Sequence, residues 1–314
     1  MGYTGKPQVF TAGILETVLG TGDKALTLGG EHTLPLCSFD ESWKNAPAVG
    51  VEVSDLPYDT EGLPELAAFY AGAESFGDRV KRAAAMEGAS FVCLHFDGAD
   101  PGALNRSVED CVALVKEAAA ATDLPLVVTG CKNVEKDAAL FAAAAEALPT
   151  ANILFLSARE EDYKTIGAAC GLAYGHKVGA ESAVDINLAK QLNVLMSQLG
   201  LASTGIAMNL GSAAAGYGFE YVSSTMDRVK SAALEQNDAM LQMPVITPVS
   251  TEAWSVKEAI ISENDMPAWG AREERAVQME ITTAAACLAS GSNAVILRHP
   301  TSVKTIAAMI AALA

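Results

Sequence analysis

The sequence predicts an α/β protein: a (β/α)8 TIM barrel with a hairpin-like N-terminal extension. Three observations carry that prediction. Eight short apolar runs of strand length recur from Val49 onwards, and each is followed by a helix-length stretch. That alternation is the pattern of parallel strands joined by helical crossovers. Eight such units close a barrel, whereas a doubly wound open sheet shows fewer units and a nucleotide fingerprint. Half of the 314 residues are apolar and only 19% are charged, which suits a large core and strands covered on both faces.

Residues 1–48 read as an extension that caps or flanks the main body, with the barrel expected over 49–314. Short β-type runs at Gln8 to Thr11 and Lys24 to Leu28 are punctuated by Gly20-Thr-Gly22-Asp and Gly29-Gly30, so hairpins rather than a helix are expected. The barrel strands are expected at Val49–Val53, Phe91–Phe96, Leu126–Thr129, Ile153–Ser157, Ala173–Val178, Gly205–Met208, Val245–Val249 and Ala294–Leu297. The helices between them carry start and stop signals. Ser107, with Asp110 three residues on, forms a variant of the capping box, and Val108, Cys111, Val112 and Val115 share one face. Asn133 to Leu148 is Ala-rich and stops at Pro149. Asp185 to Leu199 carries a stripe of Ile186, Ala189, Leu192, Asn193 and Met196 and stops at Gly200. The longest helices are expected at Gly218 to about Gln236 and at Arg272 to Ala289, and Pro300 to Leu313 closes the chain.

A formal charge of −17 argues against a nucleic-acid surface, which needs a basic footprint to neutralise phosphates. The first residues show no basic stretch followed by an apolar one, and no run approaches the ~18 apolar residues of a membrane span. A cytoplasmic protein with no membrane contact is expected. The six cysteines stand singly, without metal-type spacing, and read as free and mostly buried thiols.

In a barrel, function gathers on the loops that follow the strands. Those positions here are Asp55; Asp97 to Asp100; Cys131-Lys132; Ala158-Arg-Glu160; Glu181-Ser182; Asn209 to Gly218; Ser250-Thr-Glu252; and Arg298-His299. Each also has a plainer structural reading. Asp97-Gly-Ala-Asp100 suits an Asx-type turn before Pro101, Asn209 can bond its own loop, and Arg298-His299 suits the turn leading into the last helix. His95, inside the second strand, reads as a packed core histidine. The glycines of 211–218 admit left-handed backbone or close approach, but the spacing is not that of a phosphate loop. No Gly-x-Ser-x-Gly or His-Glu-x-x-His is present, so the chain reads as a binding barrel more than a self-contained catalyst.

Phe96-Asp-Gly-Ala-Asp-Pro101, Asn105-Arg-Ser-Val-Glu-Asp-Cys-Val112, Glu135-Lys-Asp137 and Asp185-Ile-Asn-Leu-Ala-Lys-Gln-Leu-Asn193 resemble the small (delta) subunit of the corrinoid iron–sulfur protein of the carbon monoxide dehydrogenase/acetyl-CoA synthase (Wood–Ljungdahl) pathway. So do Gly216-Tyr-Gly-Phe-Glu-Tyr221, Glu252-Ala-Trp-Ser-Val-Lys-Glu-Ala259, Trp269-Gly270 and Leu297-Arg-His-Pro300. The match runs in order from about residue 47 to the end. The resemblance implies a heterodimer in which a large (gamma) subunit carries a [4Fe-4S] cluster and a corrinoid domain, while the small subunit is a barrel that helps enclose the corrinoid (cobamide). Cobalt would take a methyl group from methyltetrahydrofolate through a separate methyltransferase and deliver it to acetyl-CoA synthase. Under that reading Asp97, Asn209, Gly211, Ser212, Gly216, Tyr217 and Gly218 are the expected corrinoid-facing positions, with no catalytic side chain and no metal ligand on this chain. The alternative is a folate- or pterin-dependent methyltransferase barrel, in which Asp97 and Asn209 would pair with a pterin edge.

Overall fold

The structure, a computed structural model, describes residues 5–314; residues 1–4 of the expected extension lie outside the described residues. Eight parallel strands form the barrel: β3 (Ala48–Ser54), β4 (Phe91–His95), β5 (Leu126–Thr129), β6 (Leu154–Ala158), β7 (Lys177–Glu181), β8 (Ile206–Asn209), β9 (Ile246–Pro248) and β10 (Ala294–Leu297). Their order is β8-β7-β6-β5-β4-β3-β10-β9. A parallel bridge between Met208 and Val245, with Met208 N donating to Pro244 O at 2.8 Å, joins the two ends and closes the ring.

The strands are apolar on both faces, as a closed parallel sheet requires. Outward-facing Val49, Val51, Val53, Val92, Leu94 and Val128 pack under the helices. Inward-facing Phe91, Cys93, Val127, Leu154, Leu156, Ala207, Ile246 and Ile296 fill the barrel. Gly50 is required there, because a Cβ would stand 2.1 Å from the Phe91 ring.

The N-terminal hairpin pairs β1 (Thr17–Leu19) with β2 (Leu26–Leu28), so the β-run expected at Gln8 to Thr11 is not a strand. Those residues form no regular element, and Phe10 N donates to His32 O at 2.8 Å. The physical reason is tertiary: Leu19 and Leu28, both fully buried, belong to the barrel's interior cluster and plug its lower end. Below them Lys230 Nζ donates to Glu31 (2.8 Å) and Asn293 (3.1 Å), and Asn293 donates to Glu31 at 2.7 Å.

The helix termini follow the expected chemistry. Ser107 accepts from Asp110 N at 3.0 Å and Asn133 from Lys136 N at 3.0 Å. Asp185 caps Ile186–Leu199, and Gly200 ends it in the left-handed region at φ 113°. The last helix spans Pro300–Leu313. The reciprocal capping box is at Ser75 and Asp78 instead. One strand was misplaced by sequence: Ala173 and Tyr174 finish a helical segment, Gly175 turns at φ 72°, and the fifth barrel strand begins at Lys177. The Cys170-Gly-Leu-Ala-Tyr174 run has no periodicity to separate helix from strand.

Candidate functional site

Because all eight strands run the same way, their C-terminal ends meet at one mouth, where a cavity of about 250 Å³ opens. Cys93, Leu156 and Ile296 form its floor, and Glu52, His95, Ser157, Glu181, Asn209 and Ser250 its walls; Lys132, Arg159, Gly211, Ser212 and Glu252 stand higher. Two polar networks shape it.

The first is centred on Glu52, in the middle of β3 and 1% exposed. Its carboxylate accepts from Arg298 at 2.8 Å, faces His95 Nδ1 at 3.4 Å and accepts from Ser250 Oγ. The Arg298 guanidinium lies 5.2 Å from the Tyr58 ring centroid and 5.4 Å from that of Trp254, a cation held between two π faces. Burial opposes ionisation of Glu52, but Arg298 and His95 outweigh it and hold the carboxyl well below its usual range.

His95 is not merely packed. Its Nε2 faces Asp97 at 3.1 Å while Nδ1 faces Glu52. Burial disfavours the imidazolium, yet the two carboxylates prevail and its pKa is raised. A raised folded pKa gives stabilisation that is complete below the unfolded value near 6.5 and lost as pH rises through the folded one. His95→Gln should therefore cost about 1–3 kcal/mol at pH 6, with the cost shrinking as pH rises. Urea midpoints of both proteins across pH 6–9 check this; a difference that stays constant with pH would refute it.

The second network is at β6 and β7. Arg159 Nε lies 3.5 Å from Glu181 and its Nη1 3.7 Å from Asp137, with Nη1 buried and without a hydrogen bond. Burial raises the Asp137 carboxyl, although Cys131 N donates to it at 2.8 Å. Beside this network Ala183 (φ 45°) and Val184 (φ 65°) line the cavity in the left-handed region, which is strained for a β-branched residue and is a mark of functional loops.

The sequence-expected residues divide between three places. Asn209, Gly211 and Ser212 line the cavity. Asn209 is the last residue of β8 rather than the first of the loop; its Nδ2 donates to Ser157 Oγ at 2.9 Å and its Oδ1 accepts from Gly211 N at 3.0 Å. Gly211 (φ 84°) packs against Val184, and Ser212 Oγ is buried without a partner. Asp97 stands beside the cavity, its side chain 44% exposed, held by His95 and by Ser54 Oγ at 3.3 Å. Gly216, Tyr217 and Gly218 lie outside it: Tyr217 borders a shallower depression with Glu252 and Lys257 and donates to Glu258 at 2.6 Å. Gly218 (φ 87°) leads the helix Phe219–Leu234.

Sequence reasoning missed Glu52 and the wall role of His95, and it placed Arg298 at the rim without its partner. The signal was a lone carboxylate inside Val49-Gly-Val-Glu-Val53, since a charge on a buried strand needs a partner. Arg298 does lead into a helix as expected, with His299 Nδ1 accepting from Thr301 N at 3.2 Å. That bond leaves the proton on Nε2, which faces Glu273 at 3.1 Å. The Glu65, Glu273 and His299 cluster is thereby occupied as a capping network, because Glu273 also accepts from Glu65 N and Leu66 N.

All six cysteines are free, four of them buried. Burial pushes Cys111 and Cys131 up to about 11 and Cys170 and Cys287 up to about 12, so they stand as thiols rather than reactive thiolates. Among the described residues, no helix is long and apolar enough to cross a membrane.

Fold and site together define a (β/α)8 barrel with a polar cavity at the mouth its strand ends surround. Within that class the chain belongs to the CO dehydrogenase/acetyl-CoA synthase delta subunit family, whose model matches residues 16–303 and so reaches back across the hairpin. It is similar to the acetyl-CoA decarbonylase/synthase complex subunit delta of Methanocaldococcus jannaschii, 31% identical over 91% of this chain and 69% of that protein. The corresponding subunit of Methanothermobacter thermautotrophicus is 32% identical over 93% of this chain and 74% of its own length. Among solved structures, 7,8-dihydropteroate synthase of Vibrio fischeri ES114 superposes with TM-score 0.57 at 12% identity, covering 94% of this chain and 97% of that one. The Xanthomonas albilineans enzyme with 4-aminobenzoic acid gives 0.54 at 16% identity, covering 95% and 98%. At such identities the likeness is one of fold.

Proposed function

We propose that this chain is the small subunit of a heterodimeric corrinoid iron–sulfur methyl carrier. Its barrel mouth helps enclose a corrinoid at the interface with a large (gamma) subunit. The bound cobalt would supply the methyl chemistry, accepting from methyltetrahydrofolate through a separate methyltransferase and delivering to acetyl-CoA synthase; the [4Fe-4S] cluster would sit on the large subunit. The observation that carries this reading is the family match over residues 16–303. It favours the delta subunit over an independent folate-dependent methyltransferase.

The residues present suit a flat macrocycle. A Cβ at Gly216 would meet nothing within 4 Å, so that backbone is open to an external surface, and Tyr221 beyond it is 69% exposed. Glu252 stands at the rim of the cavity that Asn209 and Ser212 line. The chain's own part is to orient the ring, exclude water and cover one face.

Co-expression with the large subunit and anaerobic isolation should yield a one-to-one complex with corrinoid absorption that neither chain shows alone. Methyl transfer to free cob(I)alamin by this chain alone would sink the reading. Gly216→Phe should lower corrinoid content severalfold, while Gly216→Asn, which keeps the φ of 86° accessible, should not; equal loss in both would make the effect one of backbone strain.

A further inference from the structure

We infer that the mouth cavity is a binding site for a neutral carboxamide or lactam group, supplied either by a peripheral amide arm of the corrinoid or by a free small molecule. The first source rests on the function proposed above; the second does not.

Size sets the first limit. A volume of about 250 Å³ is below the roughly 300–1,000 Å³ of sites that enclose drug-sized ligands, so the cavity takes a substituent or a fragment, not a macrocycle. Charge sets the second. Each cation at the wall already faces a carboxylate, Arg159 with Glu181 at 3.5 Å and Lys132 with Glu252 at 4.0 Å. Glu52 is likewise matched by Arg298 at 2.8 Å. An anion or a cation would disturb one member of each pair, and a neutral group disturbs neither.

Hydrogen-bond direction then selects the group. Glu181 and Asn209 are in-register partners on β7 and β8, so their side chains project to the same side. Ser157 Oγ accepts from Asn209 Nδ2, which leaves the serine hydrogen and the second amide hydrogen of Asn209 as free donors. Glu181 offers only acceptors. Two donors beside an acceptor match the C=O and N–H of an amide edge. A carboxylate ligand would bring no donor to Glu181, and a protonated amine no acceptor to Ser157 and Asn209.

The test uses the full chain, alone and reconstituted with the large subunit. The reconstituted complex is titrated with dicyanocobinamide and with dicyanocobyrinic acid heptamethyl ester, whose arms have no N–H. The chain alone is titrated with nicotinamide by ligand-detected NMR. Ser157→Ala and the double variant Ser157→Ala/Glu181→Met are carried in parallel, the single change serving if the double one unfolds. If the arms are the ligand, the complex holds cobinamide at least tenfold tighter than the ester, and the variants bring the two towards parity. If the ligand is a free molecule, nicotinamide binds the chain saturably, the variants abolish that binding, and the cobinamide-to-ester ratio is unaffected. Either result supports the amide site. It is overturned if cobinamide and ester bind alike and nicotinamide does not bind, or if the variants change neither measurement. A complex that takes up no corrinoid at all would count against the proposed function, while the nicotinamide titration would still decide the cavity.

Discussion

Arg298→Met should destabilise the barrel by about 3–5 kcal/mol at pH 7, because it strips the counter-ion from a buried carboxylate. Glu52 keeps two partners, the more distant His95 at 3.4 Å and the neutral donor Ser250; neither replaces the guanidinium bond at 2.8 Å. The loss should not read as lost packing, since methionine fills much of the slot between Tyr58 and Trp254. Adding Glu52→Leu to Arg298→Met removes the orphaned charge and should recover a large part of the loss, as apolar replacements of buried ion pairs commonly do. Guanidinium denaturation of the single and double variants measures this. A single-variant cost under about 1 kcal/mol, or a double variant no better than the single one, would show that Glu52 is solvated or protonated in the folded chain. The sign in pH follows from the depressed Glu52 pKa: its contribution is present above the unfolded value near 4.3 and fades as pH falls through the folded one.

This pair also shows where sequence reasoning stops. The barrel was legible because its elements are written locally: alternating strand and helix runs, caps at Ser107 and Asp185, a stop at Gly200, and Pro300 at the head of the last helix. These signals depend on residues within a turn of each other. The mouth depends on separations of the opposite kind. Glu52 and Arg298 stand 246 residues apart, and Ser157 and Asn209 stand 52 apart. A sequence can show that Glu52 needs a partner, but only barrel closure, which sets β10 beside β3, names it. The loop 210–218 was singled out for its glycines, and geometry divides it: Gly211 and Ser212 face the cavity, whereas Gly216 and Gly218 serve turns outside it. Glycine content marks left-handed backbone without saying which way the loop faces.

The hairpin was expected either to cap or to flank the barrel, and the test between the two follows from the lower end of the barrel. Taken as an outlying flap, residues 5–31 would tolerate change; as a plug they would not. Lys230→Met should cost about 3–5 kcal/mol at neutral pH, because Glu31 would then be buried against Asn293 with no cation. In the native chain burial opposes Glu31 ionisation, but Lys230 and Asn293 overcome it and lower the pKa; that stabilisation is present above about 4.3 and is lost as pH falls. In the variant only the burial effect and the amide remain, so the folded pKa should rise above the unfolded value and protonation should relieve the strain. The stability gap between the two proteins should therefore narrow from pH 7 to pH 4, whereas a simple loss of packing would leave a gap that does not change with pH. Leu28→Ala, from a fully buried position in the interior cluster, should cost about 2–5 kcal/mol at every pH. Urea midpoints of the three proteins at pH 4, 5.5 and 7 separate the cases: a gap for Lys230→Met that is small, or that does not change with pH, would mean that the hairpin lies against the barrel without closing it.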